Sequence, residues 1–180
     1  QCGYTKNYNM FYLIILGITL FILYFVYLIT CWQWRKNCQP FYSNKTPLMM
    51  GHRGSPTLIT ENTLPSFRKA IEQGADGIEL DIRLSGDGQL VVFHDADLKR
   101  LSSRTEKINQ LSLTELQSIK LKKMEGQADE TYIPSLNDLI PLLDDIQAIN
   151  IEIKSEGIFD SQEILKPLIK FLNKHKIDDK

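Results

Sequence analysis

The feature that most constrains this chain is an uncharged stretch near its start. From Phe11 to Cys31 the sequence reads FYLIILGITLFILYFVYLITC, and no charged residue stands between Lys6 and Arg35. A helix of about 20 residues, at about 1.5 Å per residue, crosses a hydrocarbon layer roughly 30 Å thick. Tyr8, Tyr12, Trp32 and Trp34 flank the run, as aromatic residues do at a membrane–water boundary. A core helix of a soluble protein rarely reaches this length without a polar stripe. A secretory signal has an apolar run of only about 7–15 residues and a small-residue cleavage site, and neither is found here. Residues 11–31 are therefore expected to form a single transmembrane helix, with 1–10 as its flank and 32–47 as a linker.

Charge divides the chain at the same place. Residues 1–47 hold Lys6, Arg35, Lys36 and Lys45 and no acidic residue, whereas residues 48–180 carry a net charge of −5. The excess of Arg35, Lys36 and Lys45 over Lys6 places the C-terminal domain in the cytoplasm by the positive-inside rule. The overall net charge of −1, with 43% hydrophobic and 24% charged residues, excludes a disordered chain and a strongly basic nucleic-acid binder. Cys2, Cys31 and Cys38 all precede residue 48, so they read as free thiols rather than a disulfide framework. Leu28-Ile29-Thr30-Cys31 loosely matches a lipoprotein cleavage box, from which Thr30 departs.

Beyond residue 48, strand and helix patterns alternate. Leu48–His52 reads as a short buried strand. Thr63 is placed to cap a helix carrying Leu64, Phe67, Ala70 and Ile71 on one face, and Gly74 stops it. Gly77–Ile82 and Leu90–His94 read as further strands separated by the turn residues Ser85-Gly86-Asp87-Gly88. Ser112-Leu113-Thr114-Glu115 forms a capping-box pattern, and Ser135 opens a helix to Leu143. Ala148–Lys154 is a fourth strand. Gln162–Lys174 is an amphipathic helix that tolerates Pro167 only near its start or at a kink. This order predicts an α/β domain with a parallel sheet.

Ionisable residues gather where these strands end. His52-Arg53 closes the first strand, Glu79 and Asp81 the second, His94-Asp95 the third, and Glu152 with Lys154 the fourth. In a parallel barrel all four positions converge on one mouth. Glu79 and Asp81 share a strand face, as do Glu152 and Lys154. Three carboxylates facing one cavity repel unless a cation lies between them, and their oxygens suit Mg²⁺ or Ca²⁺. The two histidines can exchange protons near neutral pH, and Arg53 and Lys154 suit a phosphate. Taken singly, each residue reads more simply as a buried histidine, a turn cap or a surface ion pair. Taken together they point to metal-assisted phosphoester cleavage. For His94 to reach the mouth, residues 82–89 must descend the barrel extended, which leaves no room for a second barrel helix.

These residues fall in an order that resembles the glycerophosphodiester phosphodiesterase family. The matching segments are Gly51-His52-Arg53-Gly54, Glu61-Asn62-Thr63, Gly74–Asp81, Asp87–Asp95, Ile133-Pro134-Ser135-Leu136 and Ile149–Lys154. The resemblance implies a (β/α)8 barrel of the phospholipase C-like phosphodiesterase type. It implies Glu79, Asp81 and Glu152 as metal ligands, His52 and His94 as the acid–base pair, and Arg53 and Lys154 as phosphate-binding residues. It also implies one divalent cation, Mg²⁺ or Ca²⁺, as cofactor, and cleavage of glycerophosphodiesters to glycerol 3-phosphate and an alcohol. Residues 48–180 amount to the first half of such a barrel, so four further strands are expected beyond Lys180. Two alternatives remain open. One is a lysophospholipase D-like enzyme, in which a substrate hydroxyl attacks phosphorus. The other is a truncated, non-catalytic membrane protein. The expected partners are a glycerophosphodiester or lysophospholipid substrate and the membrane; no nucleic acid or protein partner is expected.

Overall fold

A computed structural model describes residues 5–32, 47–127, 129–156 and 158–177. The linker expected at 32–47 falls almost wholly outside these residues, as do Cys2, Cys38, Arg35, Lys36 and Lys45. The described residues form two compact units that divide between Lys45 and Thr46.

The first unit is the helix α1, Thr5–Trp32. Met10–Thr30 is long and apolar enough to cross a membrane. From Met10 to Ile29 its large side chains are exposed. Thr19 donates to the carbonyl of Ile15 at 2.9 Å, and Thr30 to that of Tyr27 at 3.0 Å, so these two hydroxyls are satisfied within the helix.

The second unit is built on a four-stranded sheet. Its strands are β1 Met50–His52, β2 Gly77–Leu84, β3 Leu90–Val92 and β4 Ala148–Ile153. β2 is central and pairs in parallel with β1 and with β4. The alternation in β2 explains its placement. Ile78, Leu80 and Ile82 are wholly buried on one face, against Phe67, Leu136, Leu139, Ile164, Leu168 and Phe171. Each such side chain contributes about 1.5–3 kcal/mol of burial free energy. The opposite face is left to Glu79, Asp81 and Arg83.

Two expectations are corrected here. β3 is antiparallel to β2, with Ile82 opposite Val92 and Leu84 opposite Leu90. The chain does not descend extended over residues 82–89. β2 continues to Leu84, and Ser85 closes a tight turn, its amide donating to the Gln89 carbonyl at 2.9 Å. The barrel helix is absent as expected, because a hairpin replaces it. Glu79 and Asp81 consequently lie inside β2, not at its end.

The helices follow their local signals more closely. α2, Leu64–Glu72, begins at Thr63, whose hydroxyl accepts from the Ser66 amide, and ends at Gln73 and Gly74. Gly74 has φ +91°, and its amide donates to the Ile71 carbonyl at 2.9 Å. α3, Leu113–Gln117, carries the Ser112–Glu115 capping box. Leu136–Asp145 is a 3₁₀ helix rather than an α-helix, with Pro141 inside it. α4, Ile158–His175, continues past Pro167. The proline was expected only near a start or kink. It is tolerated in mid-helix where Ile164, Leu168 and Phe171 bury one stripe against the sheet. A second apolar cluster, from Val91 and Phe93 to Leu116 and Ile133, fixes the segment after β3.

Candidate active site

Register brings the acidic residues together. Asp81 on β2 lies opposite Glu152 on β4, and Glu79 lies opposite His52 on β1. One carboxylate oxygen each from Glu79, Asp81 and Glu152 lies within 4.8 Å of the others. Asp81 is wholly buried and Glu79 nearly so, while Glu152 is exposed. Burial pushes the Glu79 carboxyl above its ordinary range. The neighbouring Asp81 charge adds to this, against the Arg53 amide, His52 and the Arg53 guanidinium.

The cations sit on Asp81 from two sides. Arg53 Nε stands 3.2 Å from Asp81 Oδ2, and Lys154 Nζ stands 3.2 Å from Oδ1. Lys154 also donates to Glu152. Burial pulls the Lys154 ammonium down, but its bonds to Glu152 and Asp81 outweigh this and hold it above its usual value. Asp81 Oδ1 is buried and faces the Lys154 ammonium. A buried carboxylate oxygen that already faces a positive charge suits a cation ligand. Asn62 completes the cradle. Its Nδ2 donates to Asp81 Oδ2 at 2.8 Å, and its Oδ1 accepts from the Asp81 amide at 3.3 Å.

Backbone strain marks the same place. Arg53 and Asn62 have φ of +57° and +55°, in the left-handed region that non-glycine residues seldom adopt. The Asn62 amide donates to the Arg53 carbonyl at 3.0 Å, so the two strained residues hold each other. The Arg53 amide is shared between the carbonyl and the carboxylate of Glu79, at 3.0 Å each. Gly54, at φ +88°, lets the chain pass against Ser66.

The histidines differ in setting. His52 is largely exposed, with Nε2 3.8 Å from Glu79 Oε2. His94 follows Phe93, whose amide donates to the Asp81 carbonyl at 2.9 Å. His94 Nδ1 meets Asp95 Oδ1 at 2.6 Å. Its carbonyl accepts from Arg83 Nε at 2.9 Å, so Arg83 fixes the backbone beside the imidazole. Asp76 and Asp87 are structural. Asp76 anchors Met49 and Gln147 at the start of the sheet, and Asp87 anchors Ser85 and Leu113. Lys154 also lines a cavity of about 390 Å³ with Arg83, Ser85, Asn109, Glu156 and Glu163.

Four residues near the site were given no role from sequence: Glu61, Asn62, Asp95 and Arg100. Glu61 accepts from Arg53 at 3.0 Å and from Arg100 at 2.7 and 2.9 Å. Arg100 also binds Asp95. Burial would raise the Glu61 and Asp95 carboxyls. The hydrogen bonds from Arg100, joined by Arg53 for Glu61 and by His94 for Asp95, hold both below their ordinary values. The available signal was the placement of Glu61-Asn62 just before the Thr63 cap, in a loop that the register turns toward β2.

Comparisons with known proteins place this geometry. The pattern of the glycerophosphoryl diester phosphodiesterase family matches residues 52–178. A glycerophosphodiester phosphodiesterase of Caldanaerobacter subterraneus is 37% identical over 136 residues, which is 74% of this chain and 55% of that protein. The crystal structure of the Thermotoga maritima glycerophosphodiester phosphodiesterase is 38% identical, with a TM-score of 0.59, over 74% of this chain and 53% of that one. An Oleispira antarctica phosphodiesterase, solved with its product sn-glycerol-3-phosphate, is 33% identical with a TM-score of 0.63, over 72% and 53%. The chain thus spans about half the length of the relatives it matches, as a partial barrel of their α/β fold. On its sequence match and its fold together, it belongs to the glycerophosphoryl diester phosphodiesterase family.

Proposed function

We propose that this chain supplies the metal-binding and acid–base part of a phosphodiesterase that hydrolyses glycerophosphodiesters to glycerol 3-phosphate and an alcohol. The observation that carries this reading is the convergence of Glu79, Asp81 and Glu152 within 4.8 Å, beside two cations and with His52 Nε2 3.8 Å from Glu79. The buried Asp81 carboxylate and the all-oxygen donor set fit a hard divalent cation, Mg²⁺ or Ca²⁺, held by those three carboxylates. When bound, such an ion supplies positive charge beside the phosphate oxygens.

The chain's own residues do the rest. Arg53 and Lys154 are aimed at the same carboxylate and offer donors to the phosphate. One imidazole of the pair His52 and His94 accepts the proton of the attacking oxygen as its bond to phosphorus forms. The other gives a proton to the alcohol oxygen as its bond to phosphorus breaks. Asp95 holds His94 through Nδ1, which leaves Nε2 for that transfer. α1 is read as a single membrane span. The charge excess of Arg35, Lys36 and Lys45 over Lys6 puts the domain on the cytoplasmic side. A catalytic domain tethered at a bilayer also favours a second substrate class, lysophospholipids.

The test is ³¹P NMR of the full chain with a glycerophosphodiester, with and without EDTA. Glycerol 3-phosphate should accumulate, stop in chelator and resume with Mg²⁺ or Ca²⁺. His52→Ala and His94→Ala should each lower kcat far more than they raise KM. Activity unchanged in chelator would overturn the reading, and a lasting cyclic phosphate would replace hydrolysis by attack of the substrate's own hydroxyl.

A further inference from the structure

Outside the carboxylate cluster, Arg100 makes four side-chain hydrogen bonds to two carboxylates. Its Nε and Nη2 donate to Asp95 at 2.6 and 3.2 Å. Its Nη1 and Nη2 donate to Glu61 at 2.9 and 2.7 Å. One planar guanidinium therefore makes two-pronged contacts with two carboxylates, which come from segments 39 residues apart for Glu61 and five for Asp95. Both carboxylates are shared. Glu61 Oε1 also accepts from Arg53 Nη1 at 3.0 Å, and Asp95 Oδ1 also meets His94 Nδ1 at 2.6 Å.

The chain of contacts runs His94–Asp95–Arg100–Glu61–Arg53–Asp81. It joins the turn after β3 to the strained loop after β1 through one side chain. On the functional reading given above, we propose that Arg100 is a positioning residue. It sets the His94 imidazole through Asp95 and the Arg53 guanidinium through Glu61, and does not itself touch substrate. Its side chain is 46% exposed, so its ion pairs add little to global stability. Its effect is geometric: it fixes the angle of two groups whose misplacement lowers turnover more than binding. A lysine at this position keeps the charge but cannot span both carboxylates with a planar fork.

The experiment compares Arg100→Gln, Arg100→Lys and Arg100→Ala in the full chain with its metal present, measuring kcat, KM and Tm. Arg104→Gln serves as control, because Arg104 pairs with Glu106 in its own loop. Arg100→Gln should lower kcat about tenfold to a hundredfold, with KM and Tm little changed. Arg100→Lys should recover little of the loss, and added guanidinium ion should restore part of it to Arg100→Ala alone. Arg104→Gln should leave kcat as it was. A proton NMR signal from His94 Nδ1–H, present in the parent protein, should broaden or vanish in Arg100→Gln. Wild-type kcat in Arg100→Gln, or a loss carried wholly by Tm, overturns the proposal, as does an unchanged imidazole signal. If the parent protein turns over no glycerophosphodiester while that signal still responds, the functional reading fails and the brace stands.

Discussion

Asn62 offers a quantitative test of how the site is held. It is 1% exposed, sits at φ +55°, and grips Asp81 by both its carboxylate and its amide. The bond to the carboxylate is of the charged kind, worth about 1.5–3 kcal/mol. The bond from the Asp81 amide is long, at 3.3 Å, and counts for roughly 0.5 kcal/mol. Alanine in the left-handed region costs about 1–2 kcal/mol more. Asn62→Ala should therefore destabilise the domain by about 3–5.5 kcal/mol. Arg53 remains beside Asp81 Oδ2, so the carboxylate is not left wholly unpaired. Asn62→Gly loses the same bonds without the backbone penalty and should cost about 2–3.5 kcal/mol. Urea unfolding by pulse proteolysis, in detergent, reads both values. Divalent-cation affinity should fall about 10–100-fold in each variant, because the residue orients a ligand without being one. Equal stability of the two variants would refute the strain assigned to this position. A loss below about 1 kcal/mol in Asn62→Ala would refute the hydrogen-bond account.

Two further outcomes follow from the same geometry. The Glu61 and Asp95 carboxyls titrate below their ordinary values, so the stability they add is present above the unfolded values, about 3.9–4.3, and lost as pH falls through the lowered ones. The urea midpoint of the parent protein should hold from neutral pH down to about 4.3 and fall below it; a midpoint constant to pH of about 3 would contradict this. Gly54→Ala would place a Cβ 2.5 Å from Ser66 Oγ at a φ of +88°. It should abolish folding or lower the urea midpoint severely, and a near-native midpoint would mean that the β1–α2 loop is looser than described.

Local rules carried much of the fold. The cap at Thr63, the stop at Gly74 and the capping box at Ser112 each depend on a few neighbouring residues, and each formed as written. The alternation of Ile78, Leu80 and Ile82 with Glu79 and Asp81 fixed which face of β2 meets the core. The direction of β3 was not legible, because Leu90-Val91-Val92 satisfies either polarity. What decided it was how far β2 continues before Ser85 turns the chain. The 3₁₀ form of Leu136–Asp145 and the mid-helix Pro167 depend on packing that no local pattern encodes. At the site, the i and i+2 spacing of the carboxylates brought Glu79, Asp81 and Glu152 into view. Arg100 stayed hidden among other exposed cations, since its partner Glu61 is 39 residues away. The left-handed Arg53 was equally hidden, since arginine does not signal that conformation, whereas Asn62 is of a type that tolerates it.

The account turns on whether acidic side chains from β2 and β4 enclose a cation. Crystals of the full protein grown with Mn²⁺ and measured at its absorption edge answer this directly. One anomalous peak should appear within about 2.0–2.6 Å of oxygens from Glu79, Asp81 and Glu152. Density at another location, or Lys154 alone filling the space among the three carboxylates at saturating metal, would contradict it.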